Sequence, residues 1–334
     1  MLTKRQNLLE TIRGGKPDRF VKQYEGTVMV PGDPVNFYIR GNRYPGMEPL
    51  IDRWGTRILW PAGEPGAVPD ASLKVLEDVT TWKEVVKIPD LIANCTGEEL
   101  WAPYIERALQ VDRGENFMMM FAPTGVFERL HFLMGFEDTL CNFLLEPEAM
   151  EELSMAIGEY RYNGFKLMVD NVHPDMLLSH DDWGSKQSLF IPPQAWRDAI
   201  KPAYEKGYNY LHDNGVIIMH HSDSFCEDIV EDMVDLHIDI WQGVLPQNDI
   251  VKLQKQLNGR MALMGGLEAA AVDRDDSTEE EIRANVRHCC ETYAVNGCFI
   301  PSITYGGPGC IHPESDKIID DEIQRCSDEF FGKK

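Results

Sequence analysis

Seven short apolar runs, each closed by polar or glycine residues, recur along the chain with helical patterns between most of them. That alternation is the strongest constraint on what the chain can fold into. The runs occupy residues 21–24, 117–122, 176–179, 216–219, 238–241, 261–264 and 298–300. Their lengths and flanking turn residues favour strands over helices. Helical patterns cover residues 147–169, 193–214, 224–236, 248–257, 277–296 and 316–330, with Ser277 and Glu280 at capping-box spacing. Right-handed strand–helix repetition of this length predicts an α/β fold of the TIM (β/α)8 barrel type rather than an open sheet. The eighth strand is expected within residues 35–69 or near Leu130.

No linker or internal repeat divides the sequence, so residues 1–334 read as a single barrel domain. Residues 1–16 read as an N-terminal amphipathic helix, and residues 31–75, rich in Pro, Gly and aromatics, as a lid-like loop over the barrel mouth. The 43% hydrophobic content is ample for a core. A formal charge of −23 repels nucleic acid phosphates and anionic membranes, which excludes both as expected partners. The start of the chain has no uninterrupted apolar stretch of the secretory type, and runs such as 117–122 are too short to span a bilayer. Eight cysteines then read as reduced thiols, and the expected location is cytoplasmic.

Chemistry concentrates at the ends of the runs, where barrel enzymes place their active sites. The run at 216–219 ends in His220-His221-Ser222-Asp223. Strand alternation puts His221 and Asp223 on one face and His220 and Ser222 on the other. Cys310 follows the last run in the loop Tyr305-Gly306-Gly307-Pro308-Gly309-Cys310. His221, Asp223 and Cys310 would offer three ligands and an open fourth position, the pattern of a catalytic zinc. Cys226 is a rival ligand that reads more simply as a buried thiol. His180-Asp181-Asp182-Trp183 closes the 176–179 run, and adjacent carboxylates raise one another's pKa. Asp181, Asp182 and Glu25, the last placed just after the first run, are therefore candidate acids. Tyr24, Trp183, Trp241, Gln242 and Tyr305 stand at run ends as candidate substrate contacts, an aromatic wall with one polar handle.

The chain resembles the uroporphyrinogen decarboxylase superfamily over nearly its whole length. The resemblance rests on Gly14-Gly15-Lys16-Pro17-Asp18-Arg19-Phe20, on Asp181-Asp182-Trp183-Gly184 followed by Ile191-Pro192-Pro193, and on the strand ending His221-Ser222-Asp223. It also rests on Gly265-Gly266 and the closing Gly307-Pro308-Gly309-Cys310. True decarboxylases carry an N-terminal Pro-x-Trp-x-Met-Arg-Gln-Ala-Gly-Arg-Tyr motif, which is lacking here; residues 21–30 read Val-Lys-Gln-Tyr-Glu-Gly-Thr-Val-Met-Val. The resemblance is therefore to the corrinoid-dependent methyltransferases of that superfamily. Their thiol-methylating members bind zinc through His-x-Cys and a late Cys, and Asp223 stands where the first of those cysteines would be. A harder, more Lewis-acidic metal is implied. The implied function resembles the methyltransferase component of O-demethylase systems, moving methyl from an aryl methyl ether to a Co(I) corrinoid on a partner protein. Alternatives are tetrapyrrole decarboxylation, for which Arg40, Arg43, Arg53 and Arg57 could supply an arginine cluster, thiol methylation from a methylcorrinoid, and a non-catalytic role beside a corrinoid protein. A homodimer is also expected.

Overall fold

A computed structural model describes residues 1–64, 66–274, 276–304 and 312–332. Seven parallel strands form one sheet in strict chain order: β1 (Thr27–Met29), β2 (Phe117–Ala122), β3 (Met176–His180), β4 (Ile217–His221), β5 (Ile240–Val244), β6 (Ala262–Leu267) and β7 (Phe299–Ile303). The sheet curls into a TIM-type barrel. Its concave side is visible in the packing: Met119, Leu178, Met219, Ile240, Met264 and Ile300, from six successive strands, share one buried cluster. Their sequence neighbours Met118, Leu177, Ile218, Trp241, Leu263 and Phe299 pack outward with the helices instead. This is the two-residue alternation of a strand, with both faces buried as in parallel sheets.

The N-terminal helix Lys4–Ile12 closes the bottom of the barrel. Leu8 and Ile12 join the inner cluster, and Arg5 reaches Asn116 O at 3.0 Å and Asp175 Oδ1 at 3.0 Å, residues just ahead of β2 and β3. The first strand differs from the sequence expectation. Residues 21–24 lead into a turn, closed by Glu25 N to Lys22 O and Thr27 N to Tyr24 O, with Tyr24 left-handed at φ 56°. Extended structure therefore begins only at Thr27. The other six strands fall where expected; β2 keeps the expected bounds, and the remaining five run further toward their C-termini, because ladder pairing uses the main chain and continues beneath polar residues.

The expected eighth strand is not found in either place. Leu50–Ile51, Arg57–Leu59 and Val68–Pro69 form a separate three-stranded antiparallel sheet, and Leu130 lies in the Val126–Met134 helix. Among the described residues no ladder joins β1 to β7. The 31–75 segment packs at the mouth end. Asn36 Nδ2, on the Pro34–Arg40 helix, donates to Phe121 O near the end of β2 at 2.6 Å, and Val75 N and Leu76 N donate to Leu133 O. Two helix starts are also corrected. The capping box near residue 278 is Thr278 with Glu281, one residue later than Ser277 and Glu280. The helix after β4 begins with a 3-10 turn at Glu227–Ile229 rather than at Ser224. Among the described residues, no helix is long and apolar enough to cross a membrane.

Candidate active site at the barrel mouth

The C-terminal ends of β3, β4 and β5 bring three inward residues into one row. His180 pairs in register with His221, and His221 with Gln242. The two imidazoles stack with centroids 4.3 Å apart and planes 21° from parallel. Each is held from behind. Glu128 Oε1 lies 3.0 Å from His180 Nδ1, and Gln242 Oε1 makes a short hydrogen bond with His221 Nδ1. An amide oxygen can only accept, so His221 Nδ1 carries the proton and Nε2 presents its lone pair. Asp182 Oδ1 lies 3.6 Å from that Nε2 and accepts from Asp223 N at 3.1 Å. His180, Asp182 and His221 each offer a ligand atom, and the three atoms lie within 4.8 Å of one another.

Electrostatics separates these groups. Burial works against charge on His180, but the adjacent Glu128 carboxylate overrides it and lifts the imidazole to about 9. Burial would likewise raise Glu128, yet His180 holds it down at about 2. His221 is lowered by burial and by the neighbouring His180, so it stays neutral. Asp223 is pushed up to about 7 by burial and by the charge of Asp182. Gln242 Nε2 is buried beside the histidines with no hydrogen-bond partner among the described residues.

The other expected site residues are placed differently. Asp181 is fully buried and turned away from the mouth. Its carboxylate accepts from Phe127 N, Glu128 N, Trp183 Nε1 and Tyr204 OH at 2.7–3.0 Å. Burial and Glu128 raise its pKa to about 7, while those donors pull it back. Trp183 is buried and stacks on His220 at 4.0 Å, and Trp241 donates Nε1 to Ser222 O at 2.9 Å. Both tryptophans pack between strands and helices, so neither forms the aromatic wall expected at the mouth. Tyr24 and Glu25 precede β1, at the opposite end of the barrel, where Glu25 pairs with Arg19 at 3.3 Å. They were expected after the first strand; the later start of β1 removes them from the mouth. Tyr305 and Cys310 lie outside the described residues. Cys226 is buried, with its Sγ 3.9 Å from Ser222 Oγ, and burial raises its thiol pKa.

Two residues of the site, His180 and Glu128, were given no role from sequence. His180 carried a usable signal, since residues 176, 178 and 180 share the inner face and place it level with His221. Glu128 carried none: it sits on a helix, and only the fold brings it to His180.

A cavity of about 230 Å3 opens beside the row. Lys186, Asp223, Leu245, Glu268 and Thr304, from the segments that follow β3 to β7, line it. A larger cavity, about 680 Å3, lies at the other end, against Met261 and Cys298 where β6 and β7 begin. Barrel chemistry sits at the strands' C-terminal ends, which favours the smaller one as the site.

The model of the uroporphyrinogen decarboxylase (URO-D) family matches residues 107–317, well over half of the chain and all of the elements that carry this row. The chain belongs to the URO-D family. Among solved structures, a methyltransferase from Methanosarcina mazei is similar with a TM-score of 0.70 and 13% identity, covering 99% of this chain and 100% of that one. At that identity the likeness is one of fold. No curated protein matches the chain.

In this URO-D family protein the donor set suits a divalent metal. Two imidazoles and a carboxylate are the ligand types of catalytic zinc sites, which leave a fourth position open. The outer partners are also of the expected kind. Glu128 behind His180 and Gln242 behind His221 fix both rings, as second-layer groups do around bound metals. Binding would displace the proton that Glu128 otherwise keeps on His180.

Proposed function

We propose that this protein is a methyltransferase that takes a methyl group from a methoxylated aromatic and passes it to a Co(I) corrinoid carried by a partner protein. The observation that carries the reading is the convergence of His180, Asp182 and His221 at the mouth, each ring fixed from behind by a polar side chain. In this reaction the C–O bond breaks, methyl goes to cobalt, and the electron pair stays on the aryl oxygen. The developing aryl oxide needs charge neutralisation at that moment.

His180, Asp182 and His221 would hold a zinc ion, with Cys310 as a further proposed ligand. When bound, zinc supplies Lewis-acid polarisation of the ether oxygen. The protein's own groups do the rest. Gln242 keeps His221 Nε2 pointed inward. Asp223 stands beside Asp182 at the rim of the cavity and, in its protonated form, faces the substrate as a donor. The open mouth admits the partner's corrinoid from the C-terminal face of the barrel.

The test is a methyl-transfer assay with Co(I) cobalamin and a panel of methoxylated aromatics, read by the cobalt absorbance change, beside metal analysis of the pure protein. We expect turnover with at least one aryl methyl ether and about one metal per chain, with three or four protein ligands. Both are lost in His221→Ala. A Cys310→Ala variant that keeps its metal limits the ligand set to His180, Asp182 and His221. Turnover of uroporphyrinogen in place of methyl transfer, or full activity without metal, overturns the reading.

A further inference from the structure

The last two long helices, Glu279–Thr292 and Pro313–Phe331, pack side by side in the outer layer, and their shared face holds a pair of thiols that the mouth does not use. Ion pairs fix the register of that face. Arg283 Nη1 donates to Asp321 Oδ2 at 2.7 Å and to Glu322 Oε2 at 2.9 Å. Arg287 Nη2 donates to Glu322 Oε1 at 2.6 Å, and Arg287 Nη1 to Glu329 Oε2 at 3.1 Å. Glu322, Cys326 and Glu329 form one stripe of their helix, so a guanidinium that reaches both glutamates lies across Cys326. Cys290 follows Arg287 by one turn on the same face of its own helix, which brings it to Cys326. Both cysteines are buried, and their side chains interact directly, the Cys290 S–H donating to the Cys326 sulfur. The chain neighbour Cys289 turns to the sheet instead, where its S–H donates to Gly265 O at 3.8 Å.

A cavity of about 360 Å3 opens against this pair, bounded by Phe20, Arg287, Cys290, Cys326, Glu329 and Phe330. That space holds a small solute with room to spare. The two thiols are not equivalent within it. Donation from Cys290, with help from Arg287, holds the Cys326 thiol below its usual value against the effect of burial. The same hydrogen bond, together with burial, pushes Cys290 up. Burial raises the thiols of Cys95, Cys226, Cys289 and Cys298 instead. Cys326 is therefore the sulfur that ionises first and attacks, and Cys290 is the partner placed to follow it.

We propose that Cys290 and Cys326 form a redox-modification site, which a hydroperoxide converts into a disulfide clamping the C-terminal helix to the helix before it. The Cys326 thiolate attacks the terminal oxygen of the hydroperoxide. The O–O bond breaks, an alcohol or water leaves with the proton, and Cys326 becomes a sulfenic acid. The Cys290 sulfur then attacks the Cys326 sulfur, the S–S bond forms and water leaves. In sum two thiols lose two electrons and two protons, and the O–O bond takes them up. Transient bonds of this kind are the sort that reduced compartments allow. The clamp has a structural consequence. The C-terminal helix holds the segment that follows the barrel floor, since Phe20 N donates to Ser327 Oγ at 3.0 Å and the Phe20 ring stacks on Phe330 at 5.3 Å. A link from Cys290 to Cys326 ties that anchor to the barrel's outer layer.

The experiment exposes the reduced full-length protein to a small molar excess of hydrogen peroxide. Alkylation, intact mass and peptide mapping then read the product. We expect a loss of two hydrogens, two fewer alkylatable thiols, a peptide link through Cys326, and reversal by dithiothreitol. Cys289→Ser should keep the link. Cys290→Ser should lose it and leave Cys326 as a sulfenic acid that dimedone traps. The linked protein should melt at least about 2 °C higher than the reduced one, because the bond closes a loop across two helices. Peroxide-treated protein whose Cys290 and Cys326 still alkylate, a link through Cys289 or the exposed Cys141 in their place, or a linked form that melts no higher, overturns the proposal. These readouts involve neither a metal nor a methyl donor, so they stand apart from the methyl-transfer assay.

Discussion

Asp181 and Asp182 are chain neighbours whose surroundings assign them opposite work. Alternation along the extended chain turns Asp182 toward His221 and Asp181 toward the helix layer, where four donors converge on it. We expect Asp181→Ala to cost about 3–5 kcal/mol, because it strands buried donors in a charged network. Asp181→Asn, which keeps one acceptor oxygen, should cost less. Urea denaturation of both variants measures this; a fully stable Asp181→Ala that had lost only turnover would give Asp181 a chemical role instead. The same alternation was readable from sequence for His221 and Asp223. Applied equally to Trp241, it places that ring outward and leaves Gln242 inward, as the structure has it.

At the scale of elements, two features position the row, and neither has a strong local signature. The first is a bulge in β5, where the register with β6 shifts between Gln242 and Val244. Gly243 adopts φ 98°, and a Cβ there would meet Thr304 O at 2.9 Å, Ser222 O at 3.0 Å and Asp223 Cα at 3.1 Å. Bulges re-aim neighbouring side chains, and this one sets Gln242 against His221. Gly243→Ala should cost about 1–3 kcal/mol from strain and crowding. It should also weaken metal binding more than a distant substitution of equal stability cost, since the backbone it pushes carries His221 and Asp223. Thermal melts paired with metal titration separate the two effects. The second feature is the Val126–Met134 helix. Gly125 at its start offers no side-chain cap, so its first N–H groups are met from across the fold: Tyr204 OH accepts from Val126 N, and Asp181 from the next two. Without a capping residue the helix start is hard to read from sequence, and Leu130 was accordingly open to a strand assignment.

Over the whole molecule, the barrel depends on its floor. Leu8 and Ile12 fill the bottom of a sheet that has seven strands and no described ladder between its first and last. Leu8→Ala should therefore destabilise the protein by about 2–5 kcal/mol, the range for emptying a packed leucine site. Denaturant midpoints would show it, and a loss below about 1 kcal/mol would mean that the floor can collapse to fill the space. The expectation of an eighth strand failed at this scale too. Strand-like composition in residues 35–69 is satisfied by a small antiparallel sheet of its own, and propensity does not say which sheet a segment joins.

The sequence by itself determined the repeating strand–helix plan, the positions of six strands and the inward direction of His221, because these follow from periodicity along the chain. Only the tertiary structure decided that His180 and Glu128 complete one side of the site and that Gln242 completes the other. Those facts depend on strand register and on which helix lands at which strand end. Both are settled by packing between residues far apart in sequence, which no local pattern encodes.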